Sequence, residues 1–214
     1  IVNLCIQEQG LECSNPFAKV YLPSITDAKK RHPVSIPDLI NLSNECTKVD
    51  DDIRHLVAII INTGMRLSEA LGLLVTDLHL NEKIPYVIIQ PHNHRRLKTQ
   101  ASERIVPLLG VSLWAAKQIQ TNNFSKYCFP RYIIDDICKS NSASSTLNKW
   151  LKTIGNSNNV IHGIRHSWRD RLRNVDSPLD MVDQLGGWSL RSVGQNYGSG
   201  YSLETMNKYM VLIT

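Results

Sequence analysis

The sequence has no apolar run long enough to cross a membrane. Its apolar stretches, such as LVAIII at 56–61, are far shorter than the roughly 20 residues that a membrane-spanning helix needs. The N-terminus also lacks a basic region followed by an apolar region and a cleavage site. These absences argue against a membrane or secreted protein, and the sequence predicts a protein of the cytoplasm.

Cysteines are few, and their pattern suggests no pairing. The chain of 214 residues has five cysteines, an odd number, and contains no CxxC pair. Neither a disulfide framework nor a zinc site is therefore indicated. We interpret the cysteines as reduced thiols that lie mostly in the core: Cys5, Cys13, Cys46, Cys128 and Cys138.

Low-complexity tracts are absent as well. Hydrophobic residues make up 42% of the chain and charged residues 20%, which is ordinary for a globular protein, so we expect a chain folded throughout. The length allows one good-sized core, or a catalytic domain with a fragment of another. The net charge of +5 and the isoelectric point near 9.0 are compatible with a polyanionic partner.

The first 30 residues differ from the rest. The segment IVNLCIQEQGL is typical of the tail of a helix that ends at Gly10, and the first residue is Ile, so we expect the chain to begin inside a larger protein. The basic patch KKRH at 29–32 and four prolines indicate an extended linker and a domain boundary near residue 30. The prolines are Pro16, Pro23, Pro33 and Pro37.

Beyond the linker the pattern is mainly helical. Ser35 is the expected N-cap of a helix in SIPDLINLSNEC, and Gly64 is the expected stop of a second helix in DDDIRHLVAIIINTG. A short helix in RLSEALGLL follows, and strands in PYVIIQP and ERIVPL predict a hairpin around HNHRRLKTQAS. Helical periodicity returns in SLWAAKQIQTN, SSTLNKWLKTI, HSWRDRLRNV and PLDMVDQLG. The predicted fold class is α+β, mainly helical, with a small antiparallel sheet.

A dense cluster of two histidines and four arginines lies in IHGIRHSWRDRLRN at 161–174. His162 and Arg165 stand at i and i+3, so they project from the same side if a helix begins here. A helix N-terminus, a guanidinium and an imidazole together would make a phosphate site. A solvated face remains an equal alternative for this pair. For Arg169, Arg171 and Arg173 we favour a solvated face or loose contact with a nucleic-acid backbone.

Two further stretches carry candidate chemistry. In NTGMRLSEALGL, Arg66 follows a glycine turn, and the carboxylate of Glu69 is placed to hold its guanidinium still, although a lone arginine there is more often a structural cap. In LGGWSLRSVGQNYGSGY, a Gly-Gly helix stop leads to Trp188, and Tyr197 follows nine positions later. A lone tryptophan or tyrosine is usually part of a core.

Taken in order, these stretches resemble the tyrosine recombinases, the phage-type integrases. The motifs are TGMRLSE, LKTQASERIVPL, HGIRH, LGGW and QNY, and the resemblance runs from about residue 33 to the C-terminus. It implies a tyrosine recombinase catalytic domain at 31–214. The preceding NPFAKVYLP resembles the end of the family's core-binding domain, so residues 1–30 are expected to be its tail and a linker.

The resemblance also implies an active site and a reaction. Tyr197 would attack a DNA phosphodiester and leave a 3′-phosphotyrosine and a 5′-hydroxyl, with no metal or other cofactor. Such an enzyme cleaves and rejoins DNA strands to integrate or excise a mobile element. Two departures are visible: a Trp stands where many members have His, and most of the N-terminal DNA-binding part is missing. The catalytic set carried over is Arg66, Lys98, His162, Arg165, Trp188 and the nucleophile Tyr197.

The expected partners follow from the same resemblance. They are double-stranded DNA, further copies of the chain in a synaptic tetramer, and accessory DNA-bending proteins. An apolar stripe in YSLETMNKYMVLIT at 201–214 is predicted to pack on a neighbouring protomer, with packing on its own domain as the alternative. The expected DNA-backbone contacts are Arg95, Arg96, Arg169 and Arg173.

Two alternatives remain open at the level of sequence. A type IB topoisomerase would use the same chemistry to nick and reseal one strand without exchanging partners. A catalytically silent DNA-binding module would use the basic residues only to neutralise phosphates.

Overall fold

The computed structural model describes residues 1–20, 31–122, 124–188 and 200–214. The chain divides into two compact units, Ile1–Lys30 and Arg31–Thr214. In the first unit, helix α1 (Val2–Glu8) has no buried residue, and the side chain of Asn15 donates a hydrogen bond to Asn3 at 2.7 Å. That this unit is the tail of a core-binding domain stays a prediction.

Two capped helices open the second unit as the sequence predicts. Helix α2 (Ile36–Cys46) begins where the hydroxyl of Ser35 accepts the backbone N–H of Asp38 at 3.2 Å. Helix α3 (Asp52–Thr63) ends at Gly64, whose φ of 61° lies in the left-handed region that glycine adopts readily. Both helix boundaries are therefore confirmed.

A three-stranded antiparallel sheet follows, in the order β1 (Leu78–His79), β2 (Tyr86–Ile89) and β3 (Arg104–Pro107). Val87 pairs with Val106, so the predicted hairpin of β2 and β3 is confirmed. Strand β1 was not expected, because two residues are too few to show an alternating pattern. A two-stranded sheet, β4 (Ile133–Ile134) and β5 (Ile137–Cys138), was also not expected.

The remaining helices confirm the mainly helical α+β fold class. Helix α4 follows α3 directly, and α7 and α8 form a consecutive pair before the C-terminal helix. Their bounds are α4 (Leu67–Leu71), α5 (Gly110–Asn122), α6 (Ser140–Ile154), α7 (Ile161–Asn174), α8 (Leu179–Gly186) and α9 (Leu203–Leu212).

Helix α3 lies at the centre of the core, packed between α5, α2 and α7. Its contact with α7 is fixed by Trp168, which is fully buried and donates its indole N–H to Asn62 O at 2.9 Å. A Cβ on Gly64 would lie 2.3 Å from Cδ2 of this indole, so only glycine fits. The glycine turn after α3 is thereby held against α7.

Helix α9 packs on its own domain, against β3. Met206 and Met210 are buried, and the guanidinium of Arg171 on α7 donates to the carbonyl of Ile213 at 2.8 Å. The hypothesis that this stripe packs on a neighbouring protomer therefore differs from the structure. The physical reason is that β3 of the same domain supplies a surface for α9, on which Met206 and Met210 become buried.

Within the described ranges, no helix combines the length and the apolar character that spanning a membrane requires.

Candidate active site

Arg66 stands at the junction between the glycine turn and α4. Its backbone N–H and its Nη1 donate to the two carboxylate oxygens of Glu69, at 2.9 and 2.5 Å. Nη1 also donates to the hydroxyl of Ser102 at 3.2 Å, and Nη2 to Gly187 O at 3.0 Å. The expectation that Glu69 holds this guanidinium is confirmed, because Arg66 is fixed from three sides.

Arg165 lies on the first turns of α7, which begins at Ile161, five residues before the predicted helical segment HSWRDRLRNV. Its side chain is buried, and Nη1 and Nη2 donate to Gly64 O and Gly186 O, each at 2.5 Å. Burial, followed by the charge of Arg66, lowers the pKa of Arg165 to about 9. The guanidinium therefore stays protonated at neutral pH but would be stabilised by a neighbouring anion.

Three arginines share the carboxyl end of α8. Arg104 Nε donates to Leu185 O at 2.6 Å, Arg165 Nη2 to Gly186 O, and Arg66 Nη2 to Gly187 O. The last carbonyls of a helix have no partner within it and carry the negative end of its dipole. Three consecutive carbonyls thus hold three guanidinium groups at one place in the fold.

Trp188 follows this helix end directly. Its indole lies under the guanidinium groups of Arg165 and Arg169, whose Cζ atoms are 4.1 and 4.3 Å from the ring centroid. Such contacts attract a cation to the electron-rich face of the ring. Trp188 therefore lies directly against Arg165, another member of the predicted catalytic set.

His162 is half-buried one turn before Arg165. Burial, then the charges of His166 and of nearby arginines, lowers its pKa to about 4, so the imidazole is neutral at pH 7. Its ring meets that of His166 edge-on, with centroids 4.8 Å apart. The side chain of His166 is exposed, so this histidine does not brace the site from behind.

Lys98 lies on the connection between β2 and β3, and its side chain is exposed. It lines a cavity of about 700 Å³ together with Ser68, Arg95 and Arg96. The next residue, Thr99, shares a hydrogen bond of 3.1 Å with the hydroxyl of Ser102, which also accepts from Arg66. The Lys98 connection is therefore tied to the arginine cluster.

Arg104 is a site residue that the sequence reasoning missed. Its side chain is 3% exposed and donates to Glu69 Oε2 at 2.9 Å, to Ser102 O at 2.6 Å and to the end of α8. Burial alone would raise the pKa of Glu69, but Arg104 and Arg66 hold it below its usual value. The sequence offered one signal: a charged residue at the start of the otherwise apolar strand RIVP.

Arg66, Arg165 and Trp188 thus bring three of the sequence motifs together, TGMRLSE, HGIRH and LGGW. The comparison with protein families agrees with the resemblance. A family model described as "Phage integrase family" matches residues 33–201. The chain belongs to this family. Its members are the tyrosine recombinases that the five motifs resemble.

Solved structures of integrases and recombinases share the fold. The Tn1549 transposon integrase in complex with circular intermediate DNA has a TM-score of 0.61 at 16% identity, over 100% of this chain and 76% of that chain. The XerA recombinase has a TM-score of 0.58 at 15% identity, over 97% and 67%. The XerH site-specific recombinase bound to its difH substrate has 0.51 at 17%, over 91% and 58%. No curated protein matches the chain significantly.

The arginines expected to contact DNA in this integrase have different environments. Arg96 and Arg173 are exposed, and Arg173 makes a loose ion pair with Asp170 at 3.5 Å. Arg169 is partly buried and donates to Asp183 at 2.9 Å besides covering Trp188. Contact of these three with DNA stays a prediction.

Two arginines depart from the sequence interpretation. Arg95 was expected to face solvent or DNA, but it is buried against Gly72 and donates to Gly72 O at 3.3 Å. Arg171 was assigned to a solvated face or to loose contact with a nucleic-acid backbone, but its guanidinium donates to Ile213 O and to Ile61 O. In both cases, backbone carbonyls from other segments of the chain accept hydrogen bonds from a guanidinium group that the local sequence pattern assigned to the surface.

Tyr197, the predicted nucleophile, lies outside the described residues. The described structure resumes at Gly200, and Tyr201 is firmly placed. The amide of Gln184 on α8 accepts from Tyr201 N at 2.9 Å and donates to Tyr201 O at 3.2 Å. The Tyr201 hydroxyl donates to Asp180 at 2.9 Å, so this tyrosine, four positions after Tyr197, is engaged in a structural contact.

Proposed function

We propose that the chain is the catalytic part of a site-specific DNA recombinase that uses Tyr197 to cleave and rejoin strands through a 3′-phosphotyrosine. Integration or excision of a mobile element is the expected outcome. Membership of the phage integrase family supports this proposal. The observation that carries it is the convergence of Arg66 and Arg165 on the carbonyls of adjacent residues, Gly187 and Gly186.

The two guanidinium groups retain donors for a phosphate. Of the five N–H donors of an arginine, Arg66 uses three and Arg165 two on acceptors in the described part of the chain. The remaining donors would bind the non-bridging oxygens of the scissile phosphate, on which negative charge grows during in-line attack. Because the guanidinium groups are already fixed, little reorganisation is needed at the moment of reaction.

Proton transfers fall to the neighbouring groups. A neutral His162 can accept the proton of the attacking tyrosine hydroxyl or a hydrogen bond from it. Lys98, on an exposed connection tied to Arg66 through Thr99 and Ser102, would give a proton to the departing 5′-oxygen. Trp188 would donate its indole N–H to a phosphate oxygen while keeping Arg165 in place.

Rejoining needs no external energy source. The phosphotyrosine ester keeps the energy of the broken diester, so a 5′-hydroxyl from another strand can attack it and release Tyr197. Strand exchange follows when that hydroxyl belongs to a different duplex.

The partners proposed are double-stranded DNA, further copies of this chain in a synaptic tetramer, and accessory DNA-bending proteins. Two of the structurally similar recombinases are in complex with DNA, which supports the first of these. We place the reaction on DNA in the bacterial cytoplasm.

The deciding experiment is covalent trapping on a nicked duplex from which the short cleaved strand diffuses away. Wild-type protein should form an adduct that survives denaturing electrophoresis, and Tyr197→Phe should bind the duplex with similar affinity but form none. Tyr201→Phe is the matched control, because it removes only a hydroxyl that Asp180 already binds, and it should keep forming adduct. Adduct in Tyr197→Phe, or DNA binding without adduct in the wild type, would reject the proposal. Relaxation of supercoiled DNA without exchange would favour the topoisomerase alternative.

A further inference from the structure

Arg104 connects three parts of the described site. It is the first residue of β3 and pairs in the sheet with Ile89. From there its side chain spans Glu69 on α4, Ser102 at the end of the Lys98 connection, and Leu185 at the end of α8. These three acceptors belong to three different segments of the chain.

Each acceptor also carries a residue of the proposed catalytic set. Glu69 holds the backbone and the guanidinium of Arg66. Ser102 accepts from Arg66 and shares a hydrogen bond with Thr99, next to Lys98. The helix end that begins with Leu185 continues into the carbonyls that hold Arg165 and Arg66.

Gly187 leaves the space that the Arg104 guanidinium occupies. Gly187 has a φ of +65°, and a Cβ there would lie 2.6 Å from Nη1 of Arg104 and 3.0 Å from the Cα of Ser102. Any other residue would therefore push Arg104 away from the carbonyls that it binds. Glu69 has little access to water, so Arg104 also supplies part of the positive charge that keeps its carboxylate ionised.

We propose that Arg104 is a positioning residue of the recombinase, which sets Arg66, the Lys98 connection and the end of α8 in one frame without touching DNA. This inference rests on the proposed function. Its side chain is too deeply buried to meet a phosphate, so its effect passes through the groups that it binds. Displacement of catalytic groups by about 1 Å is enough to cost on the order of a hundredfold in rate.

The test measures single-turnover cleavage of the nicked duplex per folded molecule, beside DNA affinity by gel shift and folding by circular dichroism. Arg104→Met keeps the length of the side chain and removes its donors. We expect cleavage to fall about a hundredfold while the DNA dissociation constant changes less than threefold. Arg104→Lys keeps the charge beside Glu69 but cannot reach three acceptors at once, so it should fall about tenfold and gives a second measurement if the Met variant is unstable.

Arg171→Met is the matched control. Arg171 is also an arginine that binds two backbone carbonyls, those of Ile61 and Ile213, but it lies away from the arginine cluster. Its loss should lower stability and leave the cleavage rate of the folded fraction near that of the wild type. If both arginine variants lose cleavage equally, Arg104 acts only through overall stability.

A double variant tests the route of the effect. In an Arg66→Lys background the frame around Arg66 is already impaired, so adding Arg104→Met should slow cleavage by much less than it does alone. Full additivity, or wild-type cleavage by Arg104→Lys, overturns the inference while leaving the proposed function intact. Absence of adduct in the wild type removes the proposed function instead.

Discussion

The guanidinium of Arg165 lies between two backbone carbonyls and the face of Trp188, with its Cζ 4.1 Å from the ring centroid. The indole therefore helps to hold the arginine side chain in position. A histidine ring at this position would offer a smaller face. The tryptophan in LGGW therefore supports Arg165, in addition to its proposed role as a phosphate ligand.

Replacing Arg165 by lysine should disable cleavage while preserving charge. A lysine ammonium cannot bind Gly64 O and Gly186 O together and also present a fork to phosphate. We expect the cleavage rate on the nicked duplex to fall by on the order of a hundredfold or more. Arg173→Lys, on the same helix but exposed, should stay within about threefold of the wild type. If Arg165→Lys also stayed within about threefold, Arg165 would only contact the DNA backbone and would have no catalytic role.

Gly187→Ala should damage the site more than it damages the fold. The left-handed backbone alone costs about 1–2 kcal/mol for a residue with a Cβ, and the new methyl group would displace Arg104. Gly110→Ala is the control, because its φ is also positive and its Cβ would meet Thr214 at 2.4 Å, away from the cluster. Thermal melts should show both variants destabilised, whereas cleavage per folded molecule should fall only for Gly187→Ala. Equal cleavage in the two would contradict the placement of Arg104.

The pH dependence of stability should report the state of His162. Its pKa is about 4 in the folded protein and about 6.5 in an unfolded chain. Between these values the unfolded state binds a proton that the folded state does not, so this histidine makes stability decline as pH falls from about 6.5 towards 4. Urea unfolding at pH 7 and pH 5 should show a smaller decline for His162→Gln than for the wild type. An unchanged decline would mean that His162 is not held neutral.

The packing of α9 on its own domain can be tested by two neighbouring substitutions. Met210 is fully buried and Val211 is 53% exposed on the same helix. Met210→Ala should lower the free energy of unfolding by about 2–5 kcal/mol, and Val211→Ala should change it by less than about 0.5 kcal/mol. Urea unfolding of the isolated monomer decides the matter. A small loss of unfolding free energy for Met210→Ala would restore the hypothesis that α9 packs on a neighbouring protomer.

Cleavage should survive chelation. Arg66 and Arg165 are proposed to stabilise the charge that metal ions stabilise in many other nucleases. Adduct formation should therefore be equal in EDTA and in magnesium. Complete loss in EDTA, restored by magnesium, would overturn the proposed mechanism.

Local features of the site were predictable from the sequence. The Ser35 cap, the Gly64 stop and the pairing of Arg66 with Glu69 involve residues within four positions of one another. Short-range geometry of helices and turns decides such contacts, and a sequence pattern records it directly. The order of the motifs then indicated the family.

Long-range contacts were not predictable. Arg104 meets partners 35 and 81 positions away, and the carbonyl of Ile61 that binds Arg171 is 110 positions away. Every residue has a backbone carbonyl, so residue identity does not show which carbonyls will accept hydrogen bonds from these arginines. Local pattern therefore assigned Arg95 and Arg171 to the surface and overlooked Arg104.

The end of α8 also bears on how the protein finishes a reaction. Recombination needs successive rounds of cleavage and ligation, with DNA strands leaving and entering between them. When a phosphate departs, Arg66, Arg104 and Arg165 each keep a carbonyl acceptor on α8, so the cluster need not rearrange or recruit another anion. The end of α8 holds the three guanidinium groups without a bound phosphate, so we expect the site to keep its arrangement between turnovers.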